Sequence, residues 1–198
     1  MTDARTDAGT DPVRDQVVGW LGAPMSDRGP QTGPDPVNLP MIRHWCAAFD
    51  DHDPVYTDDA YARSTRFGGI VAPPLMLQTW SFPTPMLVGI AERGGHPVPS
   101  TGRSPLSILD DAGYRGTLAA NSEFEIVRYL RLGDTVTSET TLDEVSEEKQ
   151  TRLGAGFFVT WLTTYTDQHG EVVGWQRFRV FKFQPPAAAA EAETGDSP

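Results

Sequence analysis

At 198 residues the chain is long enough for one domain with a sizeable core. Its formal net charge of −11 excludes a general nucleic-acid surface, which needs Lys and Arg to neutralise phosphates. A single cysteine, Cys46, excludes an internal disulfide and fits a reducing cytoplasm, and no apolar run approaches the roughly 20 residues of a membrane span.

Residues 1–11 and 185–198 are small, polar or Pro/Ala-rich and are expected to be disordered, and the N-terminus lacks the basic-then-apolar layout of a secretion signal. Within residues 12–21, Val13, Val17, Val18 and Leu21 fall near helical spacing, which predicts a short helix docked outside the main fold. The stretch SDRGPQTGPDP at 26–36 separates it from the body, so the expected division is 1–34, 35–184 and 185–198. Asn38 is placed to cap a helix in which Ile42, Trp45, Cys46 and Phe49 form one apolar face. Cys46 reads as an inert core residue, and His44 falls off the stripe. Asp58 caps a short helix over 59–64, which Phe67, Gly68 and Gly69 break. A second apolar helix starts at Pro73 and Pro74, runs through Trp80 and is stopped by Pro83 and Pro85. Residues 81–116 are too rich in Pro and Gly for a long helix.

From Leu118 the pattern changes to strands, expected over 119–129, 135–145, 157–166 and 172–183 with turns at 132–134, 146–149 and 167–170. Helices first and an antiparallel meander afterwards define an α+β order.

The chemistry-bearing residues gather in 49–80, where Asp51-His-Asp-Pro-Val-Tyr56 precedes the short polar helix and Gly69-Ile-Val-Ala-Pro-Pro74 precedes the apolar one. Four scattered histidines (His44, His52, His96 and His169) have no metal-ligand spacing, so no metal site is expected. Tyr56 is a poor base, since an unperturbed phenol ionises near pH ~10. It remains a hydrogen-bond donor and a flat apolar wall. Asp51 without a partner reads as a turn carboxylate, and His52, between two carboxylates, should point away from them.

This layout resembles the hydratase motif of the MaoC-like, (R)-specific enoyl-CoA hydratases, whose Asp-x-Asn-Pro-x-His supplies a general acid/base pair. Asp51 stands at the family's Asp, Asp53 at its Asn and Tyr56 at its His. Further blocks extend the likeness across 35–184: Asp35-Pro-Val-Asn-Leu-Pro-Met41, Leu109-Asp-Asp-Ala-Gly-Tyr114, Arg128-Tyr-Leu-Arg131 and Arg179-Val-Phe-Lys-Phe183. They resemble the MaoC-like domain of the larger, catalytically silent subunit of an actinobacterial heteromeric enoyl-CoA hydratase for steroid side-chain breakdown.

The resemblance implies a single hot-dog fold, with a curved antiparallel sheet around a shortened central helix. It implies a non-catalytic, substrate-binding and scaffolding role beside a smaller MaoC-like catalytic subunit, with acyl-CoA as substrate and no separate cofactor. A DUF35-type zinc-ribbon protein and a thiolase or aldolase are further implied partners. No catalytic residue is then assigned, Asp51 and Tyr56 being degenerate dyad positions. Tyr56, Phe67, Gly68, Gly69, Pro74, Trp80 and Phe82 are the implied substrate-binding residues. Active relatives place a glycine N–H toward the thioester oxygen where the central helix starts; here that residue is Pro74, which has none. Ending the helix before Pro83 should leave an open trough for a fused-ring acyl group, lined by Trp80, Phe82 and Met86. Outward sheet positions such as Phe124, Ile126 and Val159 are expected at the joint with a second hot dog. Two other readings stay open. One is a self-sufficient homodimeric hydratase or dehydratase using Asp51 with Tyr56 or His52. The other is an acyl-CoA-binding or thioesterase-like hot dog, although 74–82 offers no carboxylate.

Overall fold

The computed structural model describes residues 11–91 and 102–185. The chain ends expected to be disordered fall almost wholly outside these residues, as does His96. Helix α1 (Pro12–Val18) starts on Asp11, whose carboxylate accepts from the Val13 and Arg14 amides. Its Val17 is fully buried among Leu109, Leu142, Phe157 and Val180, so α1 is part of the core rather than an external attachment. The low-hydrophobicity stretch after it does not separate it from the body. Strand β1 (Gln31–Thr32) pairs with β3 (Thr137–Val145) and forms one edge of the sheet. Sequence missed this edge because two residues carry no periodicity.

Helix α2 (Leu39–Phe49) is capped as expected, with the Asn38 side chain accepting from the Met41 amide at 3.0 Å. Ile42 and Cys46 are buried, but Phe49 is 67% exposed and only stacks on Trp45, which corrects the predicted four-residue face. Asp50 ends α2 in the left-handed region at φ 55°. A 3-10 turn (Pro54–Tyr56) and helix α3 (Asp59–Ser64) follow, the latter capped by Asp58 on the Tyr61 amide.

The expected central helix is a 3-10 helix, Pro74–Ser81, with Pro73 before it and Phe82 after. A 3-10 helix is narrower than an α-helix, with about three residues per turn. It presses close to the sheet. A Cβ at Gly174 would lie 2.8 Å from Leu77 Cδ2, and one at Gly33 would collide with the Trp80 carbonyl. Helix α4 (Pro105–Asp111), absent from the sequence reading, carries a Ser104–Ser107 capping box.

The remaining strands are β2 (Gly116–Ile126), β4 (Lys149–Thr151), β5 (Gly154–Thr166) and β6 (Val172–Phe183). The sheet runs β1-β3-β5-β6-β2, antiparallel throughout, with β4, which starts at the last residue of the expected 146–149 turn, folded back on β5. Register shifts at Ala119/Asn121, Leu142/Glu144 and Tyr165/Thr166 bend the strands. One sheet with helical segments on a single face is the hot-dog arrangement the resemblance implied.

That inner face carries two separate cores. Met76, Leu77 and Trp80 cover one end together with Ile42, Val71, Tyr165 and Val173. Helices α1 and α4 cover the other through Val17, Ile108 and Leu109. Lys182, 3% exposed, ties α4 to the sheet by a 2.5 Å contact with Asp110. Phe124 and Ile126 pack against the first core and Val159 lies in the second, so all three face inward, contrary to the outward placement expected of them. Among the described residues no helix is long and apolar enough to cross a membrane.

Candidate functional site

The motif loop folds onto its own backbone. Tight exit from α2 through Asp50 lets the Asp51 amide donate to the Cys46 carbonyl at 2.9 Å. The Asp51 carboxylate then accepts from the Asp53 amide at 3.1 Å, and the Asp53 carboxylate accepts from the Val55 amide at 3.0 Å. Both carboxylates are thus turn and cap acceptors. His52 points to solvent, its Nε2 2.8 Å from Asp50 Oδ1 with both side chains more than four-fifths exposed.

Tyr56 is buried beside Cys46, Val55 and Ala62. Burial, reinforced by Tyr129 and by the charges of Asp51 and Asp53, pushes its phenol up to about 12. Burial and the nearby Asp51 likewise raise the Cys46 thiol, so neither group is a nucleophile or base at neutral pH. The Phe67 and Tyr129 rings pack with centroids 4.8 Å apart and planes tilted by 50°, and the Arg66 guanidinium lies over the Phe67 ring. Gly68 adopts φ 67°, and Gly69 has open space where a side chain would stand. The peptide stretch that follows is short of donors. Ala72 gives its amide to Leu130 O, Pro73 and Pro74 have none, and Met76 donates to Pro73 O. Pro74 faces a cleft of about 10 Å³ shared with Ala72, Leu77, Ile126 and Tyr129.

Arg128, expected only as part of a sequence block, clamps two carboxylates: Asp134 Oδ2 at 2.7 Å and Asp167 Oδ2 at 2.6 Å. Burial works against ionisation of Asp134 and Asp167, yet the guanidinium and backbone amides hold both below the usual carboxylate range. The clamp ties the 132–134 turn to the 167–170 turn.

Between the two cores the inner face lies open. A cavity of about 430 Å³ is bounded by Phe82, Pro83, Trp161 and Phe178 as apolar walls, over a floor of Gln78, Ser138, Thr140, Thr163 and Gln176. Of the residues expected at the trough, Phe82 lines it, Trp80 is buried in the core beside it, and Met86 is an exposed side chain. Sequence reasoning missed the polar floor, because its members come from four separate elements.

Fold and motif segment together define a hot-dog protein of the MaoC-like class. Residues 30–176 match the FAS1-like, dehydratase domain region, and the chain belongs to that family. It is 41% identical over 172 residues to the "Probable enoyl-CoA hydratase alpha subunit" of Thermomonospora curvata, covering 86% of this chain and 51% of that protein. It is 39% identical over 157 residues to the "3-oxo-4,17-pregnadiene-20-carboxyl-CoA hydratase alpha subunit" of Mycobacterium tuberculosis, covering 79% and 48%. The chain therefore spans about half the length of the curated relatives it matches. A chain of the ChsH1-ChsH2 complex from Mycobacterium tuberculosis superposes with a TM-score of 0.71 at 34% identity, over 88% of this chain and 93% of that one.

Proposed function

We propose that this chain is the substrate-binding, non-catalytic hot-dog unit of a heteromeric enoyl-CoA hydratase acting on fused-ring, steroid side-chain trans-2-enoyl-CoA thioesters. Hydration needs a base to deprotonate water near Cβ, a proton for Cα, and donors for the thioester oxygen as it becomes enolate-like. One observation carries the reading. Where base and donor belong, the chain holds a phenol pushed up to about 12 and a proline without an N–H. The catalytic pair must come from a smaller MaoC-like partner with an intact Asp/His dyad.

Strand β2 supports such an assembly. It is an 11-residue edge strand, paired on one side with β6 and exposed along most of its length. An edge that long is a template for a second sheet. The open trough supports a bulky acyl group, with CoA entering only as part of the substrate. A DUF35-type zinc-ribbon unit, and through it a thiolase or aldolase, are further partners in this reading, on the family resemblance alone.

The test is hydration of a trans-2-enoyl-CoA by the pure chain, by an Asp-x-Asn-Pro-x-His partner, and by the mixture. Negligible turnover by the chain and a gain on mixing are expected. The double variant Tyr56→His/Pro74→Gly should stay inactive alone, because misplacement of the acyl group by about 1 Å can cost about 10²-fold. Turnover by the pure chain that collapses in Asp51→Asn or His52→Ala would instead establish a self-sufficient homodimer. Thiol release without hydration would establish a thioesterase.

A further inference from the structure

The outer face of the sheet carries its charges unevenly. Trp161, Thr163, Gln176 and Phe178 line the trough on the inner face, so the residues alternating with them, Leu162, Trp175, Arg177 and Arg179, face outward. Glu123 and Glu125 lie opposite Arg177 and Trp175 in register and share that face. Arg177 nevertheless reaches away from Glu123, to Asp143 Oδ2 on β3 at 2.9 Å. Arg179 does the same, donating to Glu144 Oε2 at 2.6 Å and to Thr160 Oγ1 at 2.9 Å. The bulge in β3 between Leu142 and Glu144 sets these two successive carboxylates within reach of both arginines.

Glu123 and Glu125 are left without an ion-pair partner among the described residues; Glu123 accepts only from Asn121 Nδ2, at 2.8 Å on its own strand. Both are exposed, and with Leu162, Trp175 and Arg177 they line a hollow of about 620 Å³ beside β2. The backbone next to them is the open edge of the sheet. An arriving strand therefore meets unpaired peptide groups, two carboxylates and an indole in one place. A second copy of this chain fits that edge poorly. Antiparallel pairing about a two-fold axis centred on Glu123 or Phe124 sets glutamate directly against glutamate, which is destabilising. A centre farther back, toward Asn121, leaves all four carboxylates uncompensated, because Gly116–Ile126 contains no Lys or Arg.

We infer that the outward row of β2 selects its neighbour by charge: it takes a partner strand that presents Lys or Arg to Glu123, Glu125 and Trp175, and disfavours a second copy of this chain. This rests on the proposed function, in which a partner hot dog joins at this edge. A cation placed there lies beside an indole and between two carboxylates, so it gains from the ring as well as from the charges. Backbone pairing at a sheet edge is indifferent to sequence, and the side chains beside it decide which strand is added. Glu123 and Glu125 thus favour a heteromer over a homomer, and Trp175 supplies the apolar surface between them.

The experiment is calorimetric titration of the full chain with the smaller MaoC-like partner that carries the intact Asp/His dyad, at about 0.05 M and about 0.5 M salt. Glu123→Lys/Glu125→Lys should weaken association roughly tenfold or more at low salt, and the difference should shrink at high salt. Glu139→Lys makes the same change on an exposed residue of the same face, but on β3, and should leave association unaltered. Without the partner, the wild-type chain should sediment as a monomer, with its edge-facing β2 amides unprotected from hydrogen exchange. A reversal variant that binds the partner as tightly as wild type overturns the inference and leaves the heteromer standing. A wild-type homodimer in which those amides become protected overturns it as well. If the wild-type chain does not bind the partner, the heteromeric reading itself falls, and this inference with it.

Discussion

The motif loop and the trough floor handle polar groups in opposite ways. In the loop, Asp51 and Asp53 use their carboxylates on amides two residues ahead, and Tyr56 is sealed among apolar neighbours. On the floor, Gln176, Gln78 and the threonine pair hand hydrogen bonds from strand to strand and end at an open cavity. The loop carboxylates cap backbone amides, while polar side chains facing a ligand-sized space lie elsewhere in this fold.

The largest effect that tests this contrast concerns the 3-10 helix, where the apolar side chains divide between core and trough. Met76 is fully buried and Phe82 is 57% exposed on the trough wall. Met76→Ala should cost about 2–5 kcal/mol of unfolding free energy, as expected for a core truncation, and Phe82→Ala about 0.5 kcal/mol or less. Equal losses in urea melts would erase the division.

A smaller effect separates the two loop carboxylates from catalysis. Asp53→Ala removes the cap of the Pro54–Tyr56 turn and should cost about 1 kcal/mol, with Asp51→Asn costing less, since an amide oxygen still accepts from Asp53 N–H. Neither should change turnover of the assembled complex by more than about twofold, if the working dyad lies in the partner. A drop of 10²-fold in Asp51→Asn would return the loop to the active site.

The smallest effect at neutral pH is the titration of Tyr56. Its folded pKa is raised to about 12 against about 10 in an unfolded chain, so the fold favours the neutral phenol. That contribution is complete below pH 10 and is lost as pH rises through 12. Comparison of wild type with Tyr56→Phe by ultraviolet titration should show no phenolate from Tyr56 below pH 10. Ionisation near 9 would make it a usable acid/base group after all.

Local chemistry made parts of this structure legible. Asn38 and Asp58 cap the helices they were expected to cap, because an N-cap depends only on residues three apart. Strands β3, β5 and β6 follow their β-branched runs to within a few residues. The facing of β2 and β5 did not follow. Phe124, Ile126 and Val159 alternate correctly but point inward, since alternation defines two faces and only packing chooses between them.

What the sequence determined by itself was the order of the longer elements, the Asn38 and Asp58 caps, and the presence of a phenol at Tyr56 and of a residue without an N–H at Pro74, all properties of single residues or short windows. The tertiary structure alone decided the 3-10 form of Pro74–Ser81, where a close approach to Gly174 and Gly33 rewards a narrow helix. It decided that α1 and β1 belong to the body, through burial of Val17 and pairing with β3. It also made the trough, because Gln78, Thr140, Thr163 and Gln176 become neighbours only through strand register and have no common signal along the chain.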